Sequence, residues 1–360
     1  MSGQVAIPCM LMRGGTSKGA YFLAADLPAD RPARDALLLA ILGSPDPRQI
    51  DGIGGAHPLT SKVAVISPSR QPGCDVDYLF LQIVPDRDIV SDTQNCGNIL
   101  AGVGPFAIER GLVAPAGDVT TVSVYMVNSQ SRADLAVETL GGRVNYAGTA
   151  RIDGVPGSHA PVVQNYFDTA GSMCGALLPS GQASDVFDGI VCTLIDNGMP
   201  SVVMAARDFG LSGYESPQEL EDNKDLRKRL ETIRHAAGPV MNLGDVSDKT
   251  VPKMCLVAPP RHGGIISTRT FIPHSVHQSV GVLGAATAAV ACLLEGTAAH
   301  DLANVPPGNP LRCEVEHPTG ALAVEIDMGQ DGEVRRTGII RTARKLFDGT
   351  AFALAGGPWG

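Results

Sequence analysis

Residues 99–108 form an uninterrupted apolar and small-residue run, with no charge until Glu109 and Arg110. A helix without a polar face must be surrounded by protein, so the pattern predicts a buried helix with Asn95 as its N-cap. Pro105 is expected to kink it or loosen its hydrogen bonding. Shorter apolar runs at 6–12, 20–23, 63–66 and 78–84 read as strands, and residues 31–42 read as a helix closed by Gly43. Alternating segments at 120–127, 134–139 and 143–146, separated by glycine turns, are antiparallel strands able to wrap the buried helix.

The second half echoes the first. Leu11-Met12-Arg13-Gly14-Gly15 has its counterpart in Leu194-Ile195-Asp196-Asn197-Gly198, and Lys62-Val63-Ala64-Val65-Ile66-Ser67-Pro68 in Lys253-Met254-Cys255-Leu256-Val257-Ala258-Pro259. Gln94-Asn95-Cys96-Gly97 likewise matches Gln278-Ser279-Val280-Gly281, again followed by an uncharged helix. The early helix is matched by one beginning with a Ser216-Pro217-Gln218-Glu219 capping box. Ordered matches at nearly one spacing imply a duplicated domain, with two buried helices presenting their N-termini to a shared cleft. The most linker-like stretch is 178–184, which places an N-terminal domain at 1–184 and a C-terminal one at 185–360, its final segment free to pack back on the first.

Composition supports this reading. Hydrophobic residues make up 44% and aromatics only 4%, with 42 glycines and 26 prolines, so two β-rich α/β cores should rest on aliphatic side chains and many tight turns. A net charge of −9, without a basic run, argues against nucleic acid and requires local groups to attract any anionic substrate. No signal peptide is apparent at the N-terminus, and the apolar run 280–294 is too short to span a bilayer, so a cytoplasmic protein without a membrane partner is expected. The eight cysteines include no C-x-x-C pair, and apart from Cys96 they read as small buried hydrophobes.

Three stretches carry candidate chemistry. Cys96 stands at the start of the buried helix, where first-turn N–H groups and the helix dipole favour a thiolate and any docked carboxylate. Lys62 lies at a loop-to-strand junction among small residues; partial desolvation there would favour the neutral amine that a base needs, the alternative being a solvated strand-end lysine. Arg13-Gly14-Gly15-Thr16-Ser17-Lys18-Gly19 has the order Ser-Lys-Gly followed by a strand, which is not a nucleotide-binding P-loop. It reads as an anion cradle of backbone N–H groups, two hydroxyls and Lys18, or as an ordinary hairpin turn. In the second half, Arg269, His274 and Ser279 precede the second buried helix, a sensible place for carboxylate ligands. His274 and His277 lack a third clustered ligand, so no metal is assigned.

Together, the Arg13–Gly19 turn, the Gly54-Gly55 to Lys62 loop, Asn95-Cys96-Gly97-Asn98 with Gly104-Pro105-Phe106-Ala107, and Arg341-Thr342-Ala343-Arg344 resemble the PrpF family of isomerases, within the diaminopimelate epimerase-like superfamily. The resemblance covers essentially the whole chain. It implies two similar α/β domains, each a β-barrel-like sheet wrapped around a central helix, and an active site in the interdomain cleft. Relatives that epimerise use a cysteine from each domain, but here Val280 occupies the second place. The resemblance therefore implies a cofactor-independent isomerase in which Lys62, with Cys96, moves a proton along an allylic or keto-enol system of a di- or tricarboxylate. Thr16, Ser17, Lys18, Asn95, Gly97, Asn98, Arg269, His274 and Ser279 are its expected substrate ligands, while Arg341 and Arg344 read as structural or as closing the cleft rather than acting directly. Nothing in the sequence opposes a homodimer. The alternatives are an isomerase of another tricarboxylate and a carboxylate-binding protein without activity.

Overall fold

The computed structural model describes residues 3–92, 95–272, 275–330 and 332–354. The chain divides into two compact units, Met1–Asn165 with Ile340–Gly360, and Tyr166–Ile339. The linker candidate 178–184 thus lies inside the second unit, and the final segment belongs to the first. Both units are sheet-dominated.

In chain order the first unit contains β1 (Gln4–Gly14), β2 (Ser17–Leu23), α1 (Arg31–Leu42), β3 (Lys62–Pro68), β4 (Val76–Ile83), β5 (Val90–Ser91), α2 (Gly97–Glu109), β6 (Val119–Met126), β7 (Ser131–Glu138) and β8 (Pro161–Tyr166). β2 and β3 pair in parallel, as do β4 and β6, while β1–β2, β3–β4 and β6–β7 are antiparallel. Alternation along the strands gives the sheet two faces. On one, Ala20, Phe22, Val63 and Val65 pack with Leu38, Leu39, Ile41 and Leu42 of α1. Gly19, Tyr21, Lys62 and Ala64 take the other face, toward α2, which touches β1, β2, β3, β4, β6 and β7.

α2 is buried from Ile99 to Ile108, including Pro105. Its N-cap is Cys96, with a carbonyl that accepts the first helical hydrogen bond from the Leu100 N–H at 3.0 Å. Asn95, the expected cap, is exposed and stands one residue too early. No strand forms over 143–146, because Gly141 and Gly142, with φ of 64° and 75°, turn the chain out of the ladder.

The second unit contains β9 (Asp185–Phe187), β10 (Ile190–Asp196), β11 (Pro200–Ala205), α3 (Pro217–Asp222), α4 (Lys224–Val240), β12 (Lys253–Ala258), β13 (Ile266–Phe271), α5 (Val282–Leu293), β14 (Leu311–His317), β15 (Gly320–Met328) and β16 (Val334–Leu354). Its pairings repeat those of the first unit: β10–β11 antiparallel, β11–β12 parallel, β12–β13 antiparallel, β13–β14 parallel and β14–β15 antiparallel. α5, buried from Ala285 to Cys292, holds the position of α2 in this order. The Ser216 capping box is present, but Asn223 interrupts the helix and caps α4 through its own side chain. β16 begins in the second unit and ends in the first, where Ala343 to Leu354 pair antiparallel with Gly14 to Gln4 of β1. Among the described residues no helix is long and apolar enough to cross a membrane.

Close packing of α2 depends on glycines. A Cβ at Gly102 would stand 2.4 Å from the hydroxyl of Tyr21, which is fully buried and donates to the Ile99 carbonyl at 2.5 Å. Gly102→Ala should therefore lower the urea-unfolding free energy by about 1–3 kcal/mol despite alanine's better helix propensity. An unchanged midpoint would show that the helix can shift to admit a methyl group.

Candidate active site

The start of α2 is locked to the β1–β2 hairpin. Asn98 Nδ2 donates to Thr16 Oγ1 at 3.1 Å, and the Thr16 N–H points back to Asn98 Oδ1 at 3.5 Å. Gly14 and Gly15 make this approach possible: a Cβ on Gly14 would stand 2.4 Å from the Asn98 carbonyl oxygen, and one on Gly15, at φ 52°, 2.1 Å from Asn98 Oδ1. Two further donors fix the first turn. Tyr78 gives its hydroxyl to the Cys96 carbonyl at 3.2 Å, and Gln164 Nε2 reaches the Gly97 carbonyl at 2.5 Å. Cys96 is half-buried, its side chain makes no capping bond, and the first-turn N–H groups beside it have no intrahelical acceptor. Burial first, and the nearby Cys96 thiol second, hold the Tyr21 phenol well above its ordinary value, so it stays a neutral donor.

Lys62 opens β3 with only 7% of its surface exposed. Its ammonium or amine nitrogen donates to Gln82 Oε1 at 2.6 Å and lies 5.0 Å from the centroid of the Phe80 ring. The Gln82 amide is oriented by three carbonyls, of Pro58, Ser61 and Ile83, which accept from its Nε2 at 3.0 to 3.2 Å. Its oxygen is thereby left facing Lys62. Lys62 has a neutral acceptor and no carboxylate in an ion pair among the described residues. The loop leading to it is held by Gln49, buried and at φ 46°, whose Oε1 accepts from Ser61 Oγ at 2.6 Å and from the Ala56 N–H at 2.8 Å. Tyr78, Phe80 and Gln82 alternate along β4 on the face toward α2, so one row of side chains serves both Cys96 and Lys62.

Of the remaining candidates, Thr16, Ser17 and Lys18 line one recess of about 330 Å³ in the first unit, together with Arg13, Thr60, His159 and Arg344. Ser17 is 2% exposed and its hydroxyl is buried without a hydrogen-bond partner. Lys18 pairs with Arg13 on the face opposite Lys62, while its backbone N–H donates to the Leu59 carbonyl at 2.9 Å and ties the hairpin to the Lys62 loop. In the second unit, Arg269 directs Nε to the Glu215 carbonyl at 2.6 Å and Nη1 to the Thr268 carbonyl at 2.9 Å. Ser279 Oγ meets His317 Nε2 at 3.2 Å, and its N–H donates to His277 Nδ1 at 2.9 Å. His274 lies outside the described residues.

A family profile described as "PrpF protein" matches residues 4–353. The chain belongs to the PrpF family. It is 60% identical to a (4E)-oxalomesaconate Delta-isomerase of Novosphingobium sp. (strain KA1), over 96% of this chain and 97% of that protein. It is 56% identical to a 4-oxalomesaconate tautomerase of Pseudomonas putida, over 96% of each chain. The crystal structure of a methylitaconate-delta-isomerase superposes with a TM-score of 0.90 at 33% identity, covering 97% of this chain and 96% of that one. The fold is the diaminopimelate epimerase-like one.

Within this PrpF chain, Gln82, Gln49 and Gln164 are the positioning residues that sequence reading missed. Polar side chains inside otherwise apolar strands were the available signal. The lysine equivalent to Lys62 in the second unit is Lys253, at the start of β12. Burial, and then Arg234, pull its amine from 10.5 down to about 8. Burial and then Lys253 likewise lower the His277 imidazole. The unfolded chain holds the lysine proton up to the higher of the two Lys253 values, so between them the unfolded state binds more protons and stability rises with pH. Below the lower value both states are protonated and the penalty is constant. Urea unfolding at several pH values should thus show wild type gaining stability relative to Lys253→Met between about pH 8 and 10.5. Parallel pH profiles would refute the assignment.

Proposed function

We propose that this chain is a cofactor-independent isomerase that moves a proton within an unsaturated keto tricarboxylate, 4-oxalomesaconate, in the breakdown of aromatic compounds. The observation that carries the reading is Lys62, buried and held by the oxygen of a neutral amide, on the same side-chain row that supports Cys96 at the start of α2. The names of the two oxalomesaconate relatives supply the substrate.

Removing a proton beside a carboxylate is hard unless the resulting charge is spread over a conjugated system. In the proposed mechanism the neutral amine of Lys62 takes a proton from the substrate methylene, leaving an extended enolate and a lysine ammonium. The proton returns at the far end of the allylic unit from Cys96, which is then reprotonated by Lys62, or from Lys62 directly. First-turn N–H groups of α2 and the Thr16–Asn98 clip provide fixed dipoles for a carboxylate and for the developing charge. Gln82 orients the Lys62 nitrogen through its amide oxygen.

Lys62→Met should reduce both isomerisation and deuterium exchange of the substrate methylene by about 10²- to 10⁴-fold. Near-normal exchange would rule out Lys62 as the base. Cys96→Ser should lower turnover less if the thiol only redelivers the proton, and equal losses would indicate an obligate acid/base pair. A 2-methyl-aconitate isomerase that is 35% identical over 96% of each chain makes 2-methylaconitate the second substrate to assay. Exchange with neither compound would point to a carboxylate-binding protein.

A further inference from the structure

Just before α5 the second unit carries Val280, only 5% exposed, where the first carries Cys96, so the polar side chain at that point is the neighbouring Ser279. The segment around it is fixed from two sides. The His277 N–H donates to the Thr270 carbonyl of β13 at 2.8 Å, and Thr319, in the turn between β14 and β15, gives its hydroxyl to the Gln278 carbonyl at 3.0 Å. That turn follows His317, the last residue of β14 and 8% exposed, whose Nε2 lies 3.2 Å from Ser279 Oγ.

The far side of the His317 ring decides which way the Ser279 hydroxyl points. The Thr319 N–H, 3.3 Å from Nδ1, can only donate, so Nδ1 is an acceptor. The Thr319 hydroxyl, also 3.3 Å from Nδ1, has its one proton committed to the Gln278 carbonyl. A neutral ring that accepts at Nδ1 carries its proton on Nε2, and Nε2–H therefore donates to Ser279 Oγ. The serine oxygen is thereby engaged as an acceptor and its own proton is turned away from the ring, with no acceptor for it among the described residues. The opposite tautomer would draw the hydroxyl proton inward and leave lone pairs facing out, which repel an anion.

We propose that His317 is a positioning residue that fixes Ser279 as a one-way hydroxyl donor to a carboxylate of the substrate. A hydroxyl that accepts one hydrogen bond donates a stronger one, and an ionised acceptor gains most from it. The inference rests on the function proposed above in one respect alone, that the ligand is a polycarboxylate. His317 takes no part in the proton transfer assigned to Lys62 and Cys96.

Two measurements test this without following turnover. Nitrogen-15 spectra of histidine-labelled protein, with His317 assigned through His317→Gln, should show the ring protonated on Nε2, and Ser279→Ala should shift that Nε2 resonance. Calorimetry with tricarballylate, a saturated tricarboxylate that cannot undergo the allylic shift, should give binding about tenfold weaker in Ser279→Ala and in His317→Phe, which keeps a ring without a donor. The double variant should bind no more weakly than either single one, because both remove the same donor. His317→Gln, whose amide can supply an N–H in place of Nε2, should recover most of the affinity. The proposal is overturned by a proton on Nδ1, by undetectable tricarballylate binding in wild type, by wild-type affinity in His317→Phe, or by additive losses in the double variant. A loss in His317→Phe that His317→Gln does not relieve would mark a packing role and overturn it equally. If these results hold while 4-oxalomesaconate is not isomerised, the proposed reaction fails and the role of His317 stands.

Discussion

The first unit is organised by the need to surround α2. Ile99, Leu100, Val103 and Phe106 are buried to within 1% of complete, and each contributes roughly 1.5–3 kcal/mol when removed from water. A helix with an apolar circumference has no side to present to solvent, so strands must cover it from several directions. That enclosure also sets the chemistry. The end of such a helix is where its uncapped N–H groups can emerge, and the residue at that point is Cys96. Glycines at 14, 15 and 102 are the complement, because the sheet and helix come so close that a methyl group on either would collide with the other.

Much of this architecture is legible in the chain. The charge-free run, the strand alternation and the repeated Lys-apolar-Pro pattern lead to a duplicated sheet around two buried helices, and the pairings of the two units follow the same order of parallel and antiparallel contacts. Local details were less accessible. Asn95 has the chemistry of a cap, but the hairpin engages Asn98, and the helix starts at Gly97 under the carbonyl of an uncapping cysteine. Propensity at one position could not anticipate a contact made by a residue 82 positions away in sequence.

The site shows the same division. Lys62 and Cys96 stand out by residue type and context, yet Gln82 does not, because its importance comes from cross-strand register and from three backbone carbonyls that orient its amide. Lys18 illustrates the converse. Its place in a glycine-rich turn suggests one cradle with Thr16 and Ser17, but alternation along β2 sends it to the Arg13 side of the sheet while Gly19 faces α2. A motif read as a string is thus divided by the pleat into two chemically different surfaces.

The path of β16 has a consequence for the order in which the protein can be built. β1 leaves the ribosome before the second unit, yet its partner residues 343–354 follow that entire unit in the sequence. Until those residues have been synthesised, one side of an eleven-residue strand remains an open hydrogen-bonding edge. The unit that carries Lys62 and Cys96 is therefore begun before the second unit and closed after it. During that interval the open edge is a place where the nascent chain can pair wrongly.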